Sequence, residues 1–171
     1  MQSHNRRSFI QNAVIGSLAA STLNPNDRIN VAVVGNGIRG RIHVDEWSKQ
    51  ADCRIAAVCD VHEEARGRAV TQVEERQGHK PTAYTDMRRV FEDKEIDAIS
   101  FATPNHWHAL GTIWACQAGK DVYVEKPACH NLYEGRQMSE AARKYNRMVQ
   151  VGSQGRSQGI ASWRCSASAK E

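Results

Sequence analysis

Residues 29–40 read INVAVVGNGIRG, an apolar, largely β-branched run of six residues followed by glycines at positions 35, 37 and 40. A continuous apolar run of that length, ending in glycine, is the pattern of a strand buried on both faces. The glycine spacing alone is weak, but after a buried strand and at the opening of a helix it is a dinucleotide-binding fingerprint. Gly35 permits the tight turn, Gly37 lets the backbone approach a pyrophosphate, and Gly40 lets the helix pack close to the sheet. The helix N-terminus then presents unpaired N–H groups and a partial positive charge to the phosphates. Asn36, Ile38 and Arg39 fill the positions between and join the glycines as candidate cofactor contacts. A plain glycine-rich loop is the alternative.

Outward from that turn the chain alternates between strand and helix. A helix is expected from the turn to about Lys49, a strand over 54–59 (RIAAVC), and a helix from Glu63 with Ala65, Ala69, Val70 and Val73 on one side and Gly78 as its stop. A short strand near Ala83 and Tyr84 precedes a short helix capped by Asp86 and ending at Phe91. Residues 97–102 (DAISFA) predict another buried strand, and 106–118 a helix with Trp107, Leu110, Ile113 and Trp114 at helical spacing before Gly119. A strand over 121–124, a helix opened by Asn131 and Glu134 and running to about Asn146, and a strand over 148–151 close the series. Each parallel return needs a crossover, so this order predicts a doubly wound parallel α/β sheet of six strands, the Rossmann arrangement.

Asp60 ends the second strand, near the offset of about 20 residues at which an acid binds a ribose 2′-hydroxyl. Capping the following helix is its other role. Because a carboxylate repels a 2′-phosphate, and residues 61–64 (VHEE) add two acids and no arginine, NAD is expected over NADP.

Composition excludes several classes. At 171 residues, 40% hydrophobic and 25% charged, the chain reads as an ordinary globular protein with one core. A net charge of +4, two of it from Arg6 and Arg7, is too mild and too spread for a nucleic-acid partner. Cys53, Cys59, Cys116, Cys129 and Cys165 form no CxxC pair and are odd in number, so neither a metal site nor a disulfide framework is expected. Cys53 and Cys59 lie beside or in an apolar run, where a free thiol acts as a small hydrophobe. Residues 1–26 hold paired arginines, Phe9 and a short mild apolar run, which resembles a twin-arginine export signal; Gln11 departs from the usual lysine. The run is too short for a membrane span. A periplasmic location follows from that signal, and a cytoplasmic one without it. The dinucleotide-binding domain is assigned to 27–152 and a short tail to 153–171, in which no periodicity is visible.

Two further segments sit at carboxyl ends of strands, where open α/β sheets bind ligands: Thr103-Pro104-Asn105-His106-Trp107-His108 and Glu125-Lys126-Pro127. A lysine there can hold a substrate hydroxyl or share in its proton transfer. The residues alone equally allow Lys126 to pair with Glu125 on a solvated loop, with His106 and His108 covering the helix.

In that order and spacing, GNGIRGRIHV, AAVCD, TPNHWH, AGKDVYVEKP and VQVGSQ resemble the glucose–fructose oxidoreductase/inositol dehydrogenase (Gfo/Idh/MocA) family over about residues 28–157. The resemblance implies a Rossmann domain followed by a second α/β domain, and hydride transfer between NAD or NADP and a sugar, cyclitol or related polyol. It implies cofactor contacts at Gly35, Gly37, Gly40 and Asp60, and a loop of Thr103, Pro104, Asn105 and His108 beside the dinucleotide. Glu125, Lys126 and Pro127 would reach the nicotinamide and substrate, with Lys126 the catalytic candidate. Only 153–171 follow the last strand, so the C-terminal domain of the family is expected to be missing, as in a truncated member or a stand-alone cofactor domain. A non-catalytic dinucleotide-binding module and an NAD-dependent glycoside hydrolase relative are the alternatives to a dehydrogenase. A homo-oligomer stays open.

Overall fold

The strand that opens the fold, β1 (Ile29–Val34), pairs in parallel with β2 (Cys53–Cys59) on one side and β4 (Ala98–Phe101) on the other. In this computed structural model, residues 28–153 are described; the leader expected over 1–26 and the stretch after Ser153 lie outside the described residues. Beyond those three strands lie β3 (Thr82–Tyr84), paired with β2, and β5 (Asp121–Val124) and β6 (Val149–Val151), paired in turn beyond β4. The six-stranded sheet has the order β3-β2-β1-β4-β5-β6, all parallel. The order reverses between β1 and β4, the switch point at which such sheets bind ligands.

Helices α1 (Ile38–Ser48), α2 (Glu63–Gln77), α3 (Met87–Glu92), α4 (His108–Gln117) and α5 (Leu132–Lys144) cover both faces. Alternation along the strands divides the core in two. Ala32, Val34, Ala57, Cys59, Ile99, Phe101, Val122 and Val124 pack against Val90, Ala109, Ala115 and Met138 on the α3–α4–α5 side. Val33, Ile55 and Val58 pack against Val44, Ala69 and Val73 on the α1–α2 side. Ile55 and Val58 share a face although three residues apart, because the register with β1 shifts at Ala56.

Several ends form as the sequence predicts: Gly78 closes α2 at φ 71° and Asp86 accepts from Arg88 N. At the start of α2 the cap is His62, which accepts from Ala65 N. At α5, Asn131 Oδ1 accepts from Glu134 N while Glu134 Oε2 accepts from His130 N, a reciprocal cap. Burial pushes the thiols of Cys53 and Cys59 up to about 12 and that of Cys116 to about 11, so all three are inert small hydrophobes.

The segment 106–118 departs from expectation. Pro104 is extended (φ −55°, ψ 144°), a 3-10 turn occupies Asn105–Trp107, and the α-helix begins only at His108. Its buried face is Ala109, Gly111, Thr112, Ala115 and Cys116, while Trp107 and Leu110 are 37% and 39% exposed. The cause is close packing: a Cβ on Gly111 would lie 2.8 Å from Phe101 Cε1, so only small side chains fit between helix and sheet. At the opposite edge of the sheet, buried Lys120 donates to Asp93 O at 2.6 Å and Ile96 O at 2.7 Å.

The tightest constraint is at Gly40, where a Cβ would lie 1.9 Å from the Gly35 carbonyl oxygen. No rotamer relieves a clash between Cβ and backbone. Gly40→Ala is therefore expected to cost about 3 kcal/mol or more in urea unfolding. Gly67→Ala, on the exposed side of α2 where a Cβ meets nothing, should instead stabilise by about 0.5–1 kcal/mol.

Candidate functional site

The glycine turn is built by backbone contacts. Gly35 N donates to Cys59 O at 2.8 Å, and Gly35 adopts φ 87°, which side-chain-bearing residues rarely reach. A Cβ there would lie 2.7 Å from Ala102 C and Thr103 N, so turn and Thr103 loop touch through bare backbone. Gly37, by contrast, faces open space: an added Cβ meets nothing within 4 Å. It is also the N-cap of α1, with no side-chain cap and no acidic residue in the first turn. The first N–H groups of α1 thus point outward beside an open, Cβ-free surface, which suits a phosphate.

Asp60 lies against this turn. One carboxylate oxygen accepts from Asn36 N at 2.5 Å and the other from His62 N at 2.8 Å, so Asp60 bridges the glycine turn and the start of α2. It does not cap α2; His62 does. Asn36 is buried, donating through Nδ2 to Cys59 O at 3.0 Å, while its Oδ1 has no partner. Arg66, which sequence reasoning missed, donates to the Asp60 carbonyl at 2.8 Å. It stands six residues after Asp60, on the second turn of α2, and only the folded helix brings it back.

On the other side of the switch point, Glu125 turns inward. It is 4% exposed. Its Oε1 accepts from Arg39 Nε at 2.8 Å and Nη2 at 2.7 Å, and stands 2.9 Å from His43 Nε2. Lys126 and Pro127, joined by a cis peptide bond, are exposed at the mouth. Within the motif, Glu125 is thus anchored internally, and Lys126 and Pro127 form the surface. His108 is likewise buried, with Nδ1 2.7 Å from Pro127 O and Nε2 2.9 Å from Thr103 O, fastening one loop to the other. Pro104, Asn105 and Ile38 are exposed, and Thr103 is partly so. Glycine turn, Thr103 loop and Lys126 loop thus share one edge of the sheet. His43 was not singled out by sequence reasoning. Its signal is strand alternation, which puts Glu125 on the α1 side, opposite Val122 and Val124.

Among the described residues no three His, Cys, Asp or Glu side chains are grouped to hold a metal, and no helix is long and apolar enough to cross a membrane.

Comparison with known proteins places this geometry. The model of an oxidoreductase family with an NAD-binding Rossmann fold matches residues 29–153. A glycosyl hydrolase family 109 protein of Shewanella sp. (strain W3-18-1) is 29% identical over 136 residues, 77% of this chain but 29% of its own length. The chain thus spans under a third of such curated relatives. The crystal structure of myo-inositol 2-dehydrogenase from Lactobacillus plantarum superposes with a TM-score of 0.70 at 24% identity, covering 77% of this chain and 38% of that one. Scyllo-inositol dehydrogenase from Lactobacillus casei, solved with NAD(H) and scyllo-inositol, gives 0.70 at 21% identity and the same coverage. At these identities the two structures establish the fold.

Burial holds the His43 pKa below its ordinary 6.5, outweighing the opposing pull of Glu125; Arg39 and His108 push the same way as burial. Between that lowered value and 6.5 the unfolded chain binds the extra proton, so stability falls as pH drops through the window. His43→Gln, which does not titrate, should flatten the acid limb of unfolding free energy measured below about pH 6.5.

Proposed function

We propose, from the premise that the chain belongs to the Gfo/Idh/MocA oxidoreductase family and carries its NAD-binding Rossmann fold, that it holds NAD across the β1/β4 switch point for oxidation or reduction of a sugar or cyclitol. The observation that carries this reading is the convergence at one edge of a Cβ-free turn at Gly37, an uncapped helix N-terminus and the Asp60 carboxylate. Gly35, Asn36, Gly37, Ile38, Arg39 and Gly40 form the pyrophosphate turn. Asp60, already oriented by Asn36 N and His62 N, keeps lone pairs for ribose hydroxyls.

The loop of Thr103, Pro104 and Asn105, braced by His108, and the exposed pair Lys126 and Pro127 would hold the nicotinamide half, toward β4 and β5. Bound NAD supplies the hydride acceptor. Lys126, exposed at that mouth, would hold the substrate hydroxyl and, as the neutral amine, take up its proton when the carbon is oxidised. The inositol dehydrogenases that share this fold make a ring polyol the first substrate class to test.

A second reading has its own support, because curated relatives bear the name glycosyl hydrolase family 109. In that case NADH would not accumulate while a glycoside is cleaved.

NAD should bind more tightly than NADP in a tryptophan-quenching titration. Asp60→Ala should close that gap by about tenfold, since Arg66 then meets a 2′-phosphate with no carboxylate beside it. Equal affinities in the parent protein would remove the case for Asp60.

Where inositols or glucose support NADH formation, Lys126→Ala should lower kcat by about 10²–10⁴-fold and leave NAD affinity nearly unchanged. Cleavage of an aryl glycoside without NADH accumulation would favour the hydrolase.

A further inference from the structure

We propose that His43 is a positioning residue for the Lys126 loop, the middle link of a one-way hydrogen-bond chain from Trp47 through Ser100 to Glu125. The role assigned to that loop rests on the function proposed above; the chain itself rests on geometry. Ser100, Tyr123 and Glu125 alternate with the residues of the α3–α4–α5 core and so face α1. There they meet His43 and Trp47, which stand four apart on one side of that helix.

The distances close a continuous path. Trp47 Nε1 donates to Ser100 Oγ at 2.9 Å, Ser100 Oγ is 2.9 Å from His43 Nδ1, and His43 Nε2 is 2.9 Å from Glu125 Oε1. The ends fix the direction. An indole N–H only donates, and a carboxylate only accepts. Glu125 only accepts, so the ring proton sits on His43 Nε2, and on a neutral ring Nδ1 is then bare. Ser100, which accepts from Trp47, gives its own hydrogen to that bare nitrogen. The Tyr123 ring lies edge-on to His43, with centroids 5.4 Å apart, and to Trp47 at 5.9 Å, hindering a ring flip. Burial, which disfavours the charged imidazole, acts in the same direction.

The consequence lies one residue on. Arg39, in the first turn of α1, grips the same carboxylate oxygen that His43 reaches from the next turn. Glu125 N meanwhile donates to Phe101 O at 3.1 Å, tying its backbone to β4. With side chain and backbone both anchored, the direction in which Lys126 leaves β5 is set by the helix whose N-terminus faces the phosphates. Loss of His43 should therefore loosen the nicotinamide side of the site and spare the adenosine side, which is built on β2 and Asp60.

The test uses the full chain. Imidazole ¹⁵N spectra should show His43 as the Nε2–H tautomer, and Ser100→Ala, which removes the donor to Nδ1, should shift the Nδ1 resonance while Nε2 keeps its proton. Finding Nδ1–H in the parent protein overturns the chain. His43→Leu should weaken NADH binding by about tenfold and ADP-ribose, which lacks the nicotinamide, by less than about threefold; His43→Gln should restore most of the loss. Equal losses for both ligands, or none for either, overturn the positioning role. Amide exchange at Lys126 should quicken about tenfold in His43→Leu and recover in His43→Gln, with Val33 and Val58 unchanged. That measurement needs no ligand, so a parent protein that binds neither nucleotide would sink the proposed function and still leave this inference testable. Should His43→Leu not fold, Ser100→Ala carries the same comparison.

Discussion

A single backbone contact determines where everything else stands: the Cα of Gly40 lies so close to the Gly35 carbonyl that a Cβ would come within 1.9 Å of it. That approach seats the start of α1 directly on the end of β1. Seated there, the helix aims its uncapped first turn at the switch point, where the order of strands reverses. It also carries Arg39, His43 and Trp47 down onto the sheet, within hydrogen-bond distance of Glu125 and Ser100. A helix lifted by the width of a methyl group would lose the phosphate geometry and the anchor of the Lys126 loop together.

The electrostatics of this edge follow from that placement. A buried carboxylate is costly to ionise unless it is paired and hydrogen-bonded. Glu125 has a guanidinium and an imidazole on one oxygen, and Arg39 remains 39% exposed, so solvent shares the charge of the pair. Two nitrogens of the guanidinium hold Glu125, and the backbone N–H groups of the turn stand free beside it. Backbone donors suit a pyrophosphate because the sheet and helix already hold them in place. Asp60 is held in the same way, by one N–H from the glycine turn and one from the start of α2.

Much of this was legible in the sequence, for reasons that differ by element. The six strands and their helices announce themselves through short apolar runs broken by glycine, and caps such as Asp86, Asn131 and Gly78 are local chemistry. Local chemistry also misleads: Trp107 and Leu110 have the spacing of a buried stripe, yet Gly111 against Phe101 brings the helix too close for large side chains on that face. Arg66 and His43 are not legible in the sequence because each acts on a residue that only the fold brings beside it. The positions of the glycine turn, Asp60 and both loops along one edge were inferable, since parallel strands end together. Strand alternation also puts Glu125 on the α1 face, but what it meets there depends on the side chains α1 presents, which no local pattern shows.

Glu125-Lys126-Pro127 shows how a contiguous motif divides between two tasks. Along β5, Val122 and Val124 point into the α3–α4–α5 core, so Tyr123 and Glu125 must point toward α1. An acid at the second of those positions is tolerable only if α1 presents a cation and a donor there, and Arg39 and His43 do so. Lys126 follows as the chain leaves the sheet, where no further strand pairing constrains it and water reaches its amine. The glutamate is thus a demand made on the first helix, and the lysine is a group offered to whatever occupies the cleft. Substituting the glutamate would leave Arg39 and His43 facing a void from one helix, which ties the first motif of the chain to the third across more than eighty residues.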